Sequence, residues 1–255
     1  MIIASFNVNG IRARMDIVLD WIDREKPSIL CLQETKVQDK DFPSQPFTDR
    51  SHSVTFWGQK AYNGVAIVSR TEPEDIRIGL GDGQDPEEAR LITAKIEGVW
   101  VVNTYVPQGT DVAHPRFRTK LEWFERLKKY FRKHFKPADP VVWAGDLNVA
   151  PEDKDVYDPK RLAGNVCFHP EEKAALADVM SWGFVDVFRK HEPGEKQFSF
   201  FDYRMPKALE RNLGWRLDHI LATGAIAAAS KRAWIDRAPR MLPRPSDHTP
   251  VIVEF

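Results

Sequence analysis

The chain has 255 residues with 37 basic and 37 acidic side chains, so it carries no formal net charge at neutral pH. That balance excludes a protein that coats nucleic acid by bulk charge, while leaving room for one local positive patch. An apolar share of 42%, with 8 Trp and 15 Phe, excludes a disordered chain and supplies a substantial core.

In chain order, residues 2–6 read as a short buried strand left through Asn7-Val8-Asn9-Gly10. Met15, Val18, Leu19 and Ile22 recur at helical spacing over 14–24, and Pro27 follows as a stop. The apolar run 29–32 delivers Gln33-Glu34-Thr35-Lys36 at its exit. Strands are expected at 53–57 and 64–69 with Asn63-Gly64 as the turn, and at 91–96 and 99–106 as a hairpin closed through Glu97-Gly98. Phe117, Leu121, Phe124, Leu127 and Phe131 mark an amphipathic helix over 116–135. A strand at 141–144 follows Pro140, and a helix over 170–182 has Pro170 in its first turn and Gly183 at its exit. Further strands are expected at 184–188, 198–201, 216–222 and 251–255. Strands outnumber helices without a regular βαβ period, which fits sheets flanked by helices better than a doubly wound fold.

No linker, repeat or low-complexity segment divides the chain. The proline-rich stretch 238–250 leaves only five residues after it, too few for a domain, so one domain over 1–255 is expected. Cys31 and Cys167 lack metal-ligand spacing. The opening MIIASFNVNG is too short and polar for a secretion signal, and no run reaches bilayer length, so a cytoplasmic protein without a membrane partner is expected. Charge is unevenly spread. Glu72, Glu74, Asp75, Asp82, Asp85, Glu87, Glu88 and Glu97 crowd residues 70–98, whereas Lys231, Arg232, Arg237, Arg240 and Arg244 gather near the C-terminal end.

Polar groups recur where apolar strands end. In VVWAGDLNVAP, Asp146 and Asn148 point the same way at a strand exit, and Gly145 permits a close approach just before them. A turn cap before Pro151 is the ordinary explanation. Yet Asn7, Glu34, Tyr105, Asp218 and Ser246-Asp247-His248 occupy similar places, and ionisable groups beside buried strands are costly unless paired or metal-bound. If these ends converge, Asn7, Glu34 and Asp247 supply oxygen ligands for Mg2+ or Mn2+. Asp218 orients His248 and favours its positive ring. Asp146 holds or deprotonates a water, Asn148 orients the phosphate or Asp146, and Tyr105 donates to a phosphate oxygen.

MIIASFNVNGIRAR, SILCLQETK, NTYVPQG, WAGDLNVAPEDKD, FSFFDYR, GWRLDHILAT and RPSDHTPVIVEF resemble, in order, the motifs of the exonuclease III class of apurinic/apyrimidinic endonucleases. That class lies within the endonuclease/exonuclease/phosphatase superfamily, and the resemblance spans residues 2–255. It implies an α/β fold, a four-layer α/β sandwich of two mixed β-sheets packed face to face and covered by helices. It implies a metal site at Asn7, Glu34 and Asp247, with Asp146 and Asn148 included in the ligand set, and catalytic roles for Tyr105, Asp146, Asn148, Asp218 and His248. A flipped abasic sugar would meet Phe201, Trp215 and Leu217. Met205 would enter the minor groove as an apolar wedge, with Arg204, Lys207 and Arg211 on phosphates and a solvated loop as the alternative.

The implied activity is metal-dependent hydrolysis 5′ to an abasic site, with 3′-to-5′ exonuclease and 3′-end trimming. The expected partner is double-stranded DNA with abasic sites or 3′ ends, met by a monomer. Two competing readings are hydrolysis of another phosphate ester and a non-catalytic DNA-binding protein on the same scaffold.

Overall fold

The computed structural model describes residues 1–84 and 88–255; Asp85 and Glu87 of the acidic segment lie outside the described residues. Twelve strands and seven α-helices are described. In chain order they are β1 (Ile2–Asn7), α1 (Ile11–Glu25), β2 (Ile29–Gln33), α2 (Gln45–Thr48), β3 (Ser53–Trp57), β4 (Val65–Ser69), β5 (Asp75–Ile78), β6 (Leu91–Ile96), β7 (Val99–Tyr105), α3 (Pro115–His134), β8 (Val141–Asp146), α4 (Pro159–Leu162), α5 (Pro170–Met180), β9 (Phe184–Asp186), α6 (Val187–His191), β10 (Asp218–Thr223), α7 (Gly224–Ala229), β11 (Arg232–Ile235) and β12 (Val251–Glu254).

Two six-stranded mixed sheets result, ordered β11-β12-β1-β2-β4-β3 and β5-β6-β7-β8-β10-β9. Each holds one parallel pair joined by a crossover helix: β1 and β2 through α1, β7 and β8 through α3. Their facing sides share one apolar cluster, in which Ile3, Cys31, Ile67 and Val253 of the first sheet meet Ala94, Val101, Ala144 and Ile220 of the second. The outer face of the first sheet buries Phe6, Leu30 and Leu32 against Val18, Trp21 and Ile22 of α1. That of the second buries Val102 and Trp143 against Phe124, Leu127 and Phe131 of α3 and Leu176 of α5. Helix, sheet, sheet and helix form the four expected layers, because strand alternation gives each sheet two apolar faces.

Several boundaries depart from expectation. The edge strands β5 and β11 had not been foreseen. The strand expected at 184–188 stops at Asp186, whose carboxylate accepts from the Arg189 amide and starts α6. Residues 198–201 form no strand. Phe200 makes only isolated bridges to Trp215 and His248, and Ser199 Oγ accepts the amide protons of Leu217 and Asp218 that a neighbouring strand would have taken. At Gly145, φ is 148° and an added Cβ would lie 1.9 Å from the Thr104 carbonyl oxygen of adjacent β7. Only glycine permits that approach. No helix among the described residues is long and apolar enough to cross a membrane.

Candidate active site

Register assembles the first row. Tyr105 at the end of β7 lies opposite Asp146 at the end of β8, and Asp146 lies opposite Asp218 at the start of β10. The other sheet brings Asn7, paired with Gln33 so that Glu34 follows immediately. The fully buried Asn7 amide joins the sheets, Nδ2 donating to Glu34 Oε1 at 2.8 Å and to Asp146 Oδ2 at 2.8 Å. Asn7 Oδ1 accepts the Asn9 amide at 3.0 Å, which fixes the orientation.

Behind Asp146 the chain reverses at Asn148, whose φ is 51°. Its amide donates to Asp146 Oδ1 at 3.0 Å, and its side-chain Nδ2 donates to the Val106 carbonyl at 3.0 Å and to Asp146 Oδ2 at 3.3 Å. Buried His248 completes the row, with Nδ1 2.8 Å from Asp218 Oδ2 and Nε2 3.7 Å from Asp146 Oδ2. Around the rim, Asp247 Oδ1 accepts from Asn9 Nδ2 at 3.0 Å, Asn9 Oδ1 accepts from Lys36, and the Lys36 ammonium lies 2.8 Å from Glu34 Oε2.

The surroundings set the charge states. Burial pushes Asp146 above the ordinary carboxylate range, Asp218 adding to the effect and His248 and Asn7 opposing it. Burial disfavours a charged His248, but Asp218 and Asp146 outweigh it and hold the proton well above the usual imidazole range. Glu34 goes the other way: burial raises it, while the Lys36 charge and hydrogen bonds from Lys36 and Asn7 bring it below its usual value. Tyr105 is pushed well above the ordinary phenol by burial and by the charges of Glu34 and Asp146.

Glu34, Asp146 and His248 offer ligand atoms within 4.8 Å of one another. Two carboxylates drawn together by one neutral amide form a hard, oxygen-rich set that suits a divalent cation. Asp247, named in the expected ligand set, stands outside this cluster and is held through Asn9.

The substrate residues divide differently from expectation. Phe201 is fully buried and packs with Phe198 and Ala208, so it does not face the cleft. Its neighbour Phe200 stacks at a tilt 4.9 Å from the His248 ring and joins half-buried Trp215 and buried Leu217. Side chains alternate along this segment, so Phe200 rather than Phe201 lies against His248. Arg204 is exposed but paired with Asp202 at 2.7 Å, and Met205 is half-buried against the Phe201 cluster. Asn9 and Lys36 were missed. Their nearness to Asn7 and Glu34 was the only signal: Asn9, Glu34 and Lys36 have φ of 45°, 51° and 55°, so both strand exits are turns in which alternation assigns no face.

The model of the Endonuclease/Exonuclease/phosphatase family matches residues 4–248. The chain belongs to that family. Among family members, exodeoxyribonuclease III of Haemophilus influenzae is 35% identical over 98% of both chains. The solved AP endonuclease of Archaeoglobus fulgidus is 46% identical with a TM-score of 0.97, covering 100% of this chain and 99% of its own. The 3′ phosphatase NExo from Neisseria, solved bound to a product DNA hairpin, is 36% identical with a TM-score of 0.96 and the same coverage.

Proposed function

We propose that this chain is a single-domain, divalent-cation-dependent DNA repair nuclease that cuts the phosphodiester 5′ to an abasic site and also trims 3′ ends. It works as a cytoplasmic monomer on double-stranded DNA. The observation that carries the reading is Asn7 holding Glu34 and Asp146 together across the two sheets, with the Asp218–His248 pair beside them. The 36–46% identity to an AP endonuclease and a 3′ phosphatase supports the choice of DNA.

Glu34 and Asp146 would hold Mg2+ or Mn2+, which would neutralise charge on the phosphoryl oxygens. Asp146, made more basic by burial, accepts the proton of the attacking water. Asn148 orients Asp146 through its backbone and side-chain amides and, being neutral, adds no charge to repel the phosphate. His248, kept positive by Asp218, presents Nε2 to a non-bridging phosphate oxygen. Tyr105 keeps its phenolic proton and donates it in a hydrogen bond to phosphate. A cleft of about 610 Å3 opens beside Tyr105, lined by Tyr62, Asn63, Arg90, Gln108 and Arg116, and gives the strand a path away from the site. Phe200 and half-buried Trp215, packed with Leu217 in one apolar cluster, would meet the flipped sugar.

The test uses duplexes carrying a tetrahydrofuran abasic analogue, a recessed 3′ end, a 3′ phosphate or an RNA strand, with Mg2+ and then with EDTA. Cleavage 5′ to the analogue leaving a 3′ hydroxyl is expected, abolished by EDTA, and Asp146→Asn should slow it by roughly 10²- to 10⁴-fold without abolishing DNA binding. An intact abasic duplex alongside rapid hydrolysis of another ester would refute the proposal.

A further inference from the structure

The loop between β11 and the Ser246-Asp247-His248 corner carries the sequence RAPRMLPRP, residues 237–245. Its tip is unusually apolar for an exposed turn, with Met241 69% and Leu242 42% exposed. The base beneath it is braced from three sides. Arg237 donates to the Leu209 carbonyl at 2.7 Å and Arg240 to the Phe201 carbonyl at 3.2 Å. Tyr203 donates to the Pro245 carbonyl, which also accepts from Arg14 at the start of α1 at 3.2 Å. Pro239, Pro243 and Pro245 further restrict the backbone. Two large apolar side chains are therefore presented to solvent on a stiff support, five and four residues before Ser246, the first residue of the catalytic corner.

Charge singles out the occupant. In the neighbouring loop Arg204 is paired with Asp202 and Lys207 with Glu210, and Met205 turns partly inward. Arg244 at the Met241–Leu242 tip makes no hydrogen bond or ion pair among the described residues. An uncompensated cation beside a rigid apolar pair suits an anionic backbone flanking stacked, apolar base faces. We propose that Met241 and Leu242 form a wedge that enters a base step of duplex DNA beside the scissile phosphate, with Arg244 on the adjoining phosphate. This inference rests on the reading of the site as a DNA nuclease. It adds, beside the wedge expected at Met205, a second one on a loop the catalytic chemistry does not use.

The test compares the wild-type chain with Met241→Ser/Leu242→Ser and Arg244→Gln on an abasic-analogue duplex carrying 2-aminopurine at neighbouring positions. Emission and affinity are read in EDTA, and turnover is read separately in Mg2+. The wild type should raise 2-aminopurine emission at one step. The double variant should lose that rise and bind about tenfold more weakly, with an unchanged melting temperature and a kcat on saturating duplex within about twofold. Arg244→Gln should keep the rise and flatten the salt slope of binding by about one unit. An unaltered rise and affinity in the double variant would overturn the wedge. So would loss of a dimer with DNA binding untouched, which would assign the tip to contact between copies. Failure of the nuclease reading shows differently, as a wild type that binds and unstacks the duplex but cuts none of the DNA substrates.

Discussion

The Asp218–His248 pair sets the pH behaviour at the scale of single residues. Below its raised pKa His248 carries a proton, so the positive donor is present at neutral pH and is lost only as pH rises through that value. Replacing Asp218 with Asn removes the charge that most favours the imidazolium, while the burial that disfavours it persists. The alkaline limb of kcat/KM should therefore move down by about one to three pH units in Asp218→Asn. The acid limb, which the proposed mechanism assigns to Asp146, should move less. An alkaline limb that stays in place would take His248 out of the ionisation controlling the rate. At this scale most polar positions were legible, because a carboxylate or amide at the end of a buried strand contradicts its surroundings. Phe200 was not. Two adjacent phenylalanines give no apolar contrast by which to tell them apart, and only the folded chain shows Phe200 packed on the His248 ring.

Among the elements, α3 does more than cover its sheet. Lys120 lies on the same stripe as Phe117 and Phe124, fully buried, where an apolar residue would be expected. Its ammonium pairs with buried Glu172 of α5 and donates to the carbonyls of Asn148 at 2.6 Å and Gln108 at 3.3 Å. Glu172 Oε2 in turn accepts the His169 amide at 3.1 Å and closes the first turn of α5. One buried cation thus ties together the loops that follow Tyr105 and Asp146. Lys120→Met alone strands a buried carboxylate and should cost about 3–5 kcal/mol in urea unfolding. Adding Glu172→Met should restore much of that stability, since apolar pairs replace buried ion pairs well. Turnover should remain about tenfold or more below wild type, because the Asn148 carbonyl has lost its donor. Full turnover in the double variant would reduce the pair to helix packing. Helical periodicity made α3 itself easy to find. The edge strands β5 and β11 were hard: DIRI alternates but is only four residues long and turns Ile76 and Ile78 to solvent, and RAWI is short without alternation.

For the whole molecule, the site exists because two sheets present their polar strand ends to one another. Apolar runs revealed the strands, but nothing local states that β1 lies between β2 and β12, whose residues are separated by more than two hundred positions. That pairing is fixed by burial of the common core, and the ordered motifs supplied the layer count that periodicity could not. Between the sheets, Gln33 Nε2 donates to Asn103 Oδ1 at 2.7 Å, and Asn103 Nδ2 donates to the Leu32 and Ala66 carbonyls at 2.9 Å each. These fully buried amides hold the sheets in register directly beneath Glu34 and Tyr105. A cation gripped by Glu34 from one sheet and Asp146 from the other would therefore bind the folded state and not the unfolded chain. At a free Mg2+ concentration of about 100 Kd, linkage supplies about 2.7 kcal/mol, or roughly 5–10 °C in melting temperature for a chain of this size. EDTA should remove that increment. Glu34→Gln should melt near the EDTA-treated wild type and respond little to Mg2+ until the concentration is raised well above that needed by the wild type. An equal Mg2+ shift in both proteins at equal concentration would place the stabilising cation away from the seam between the sheets.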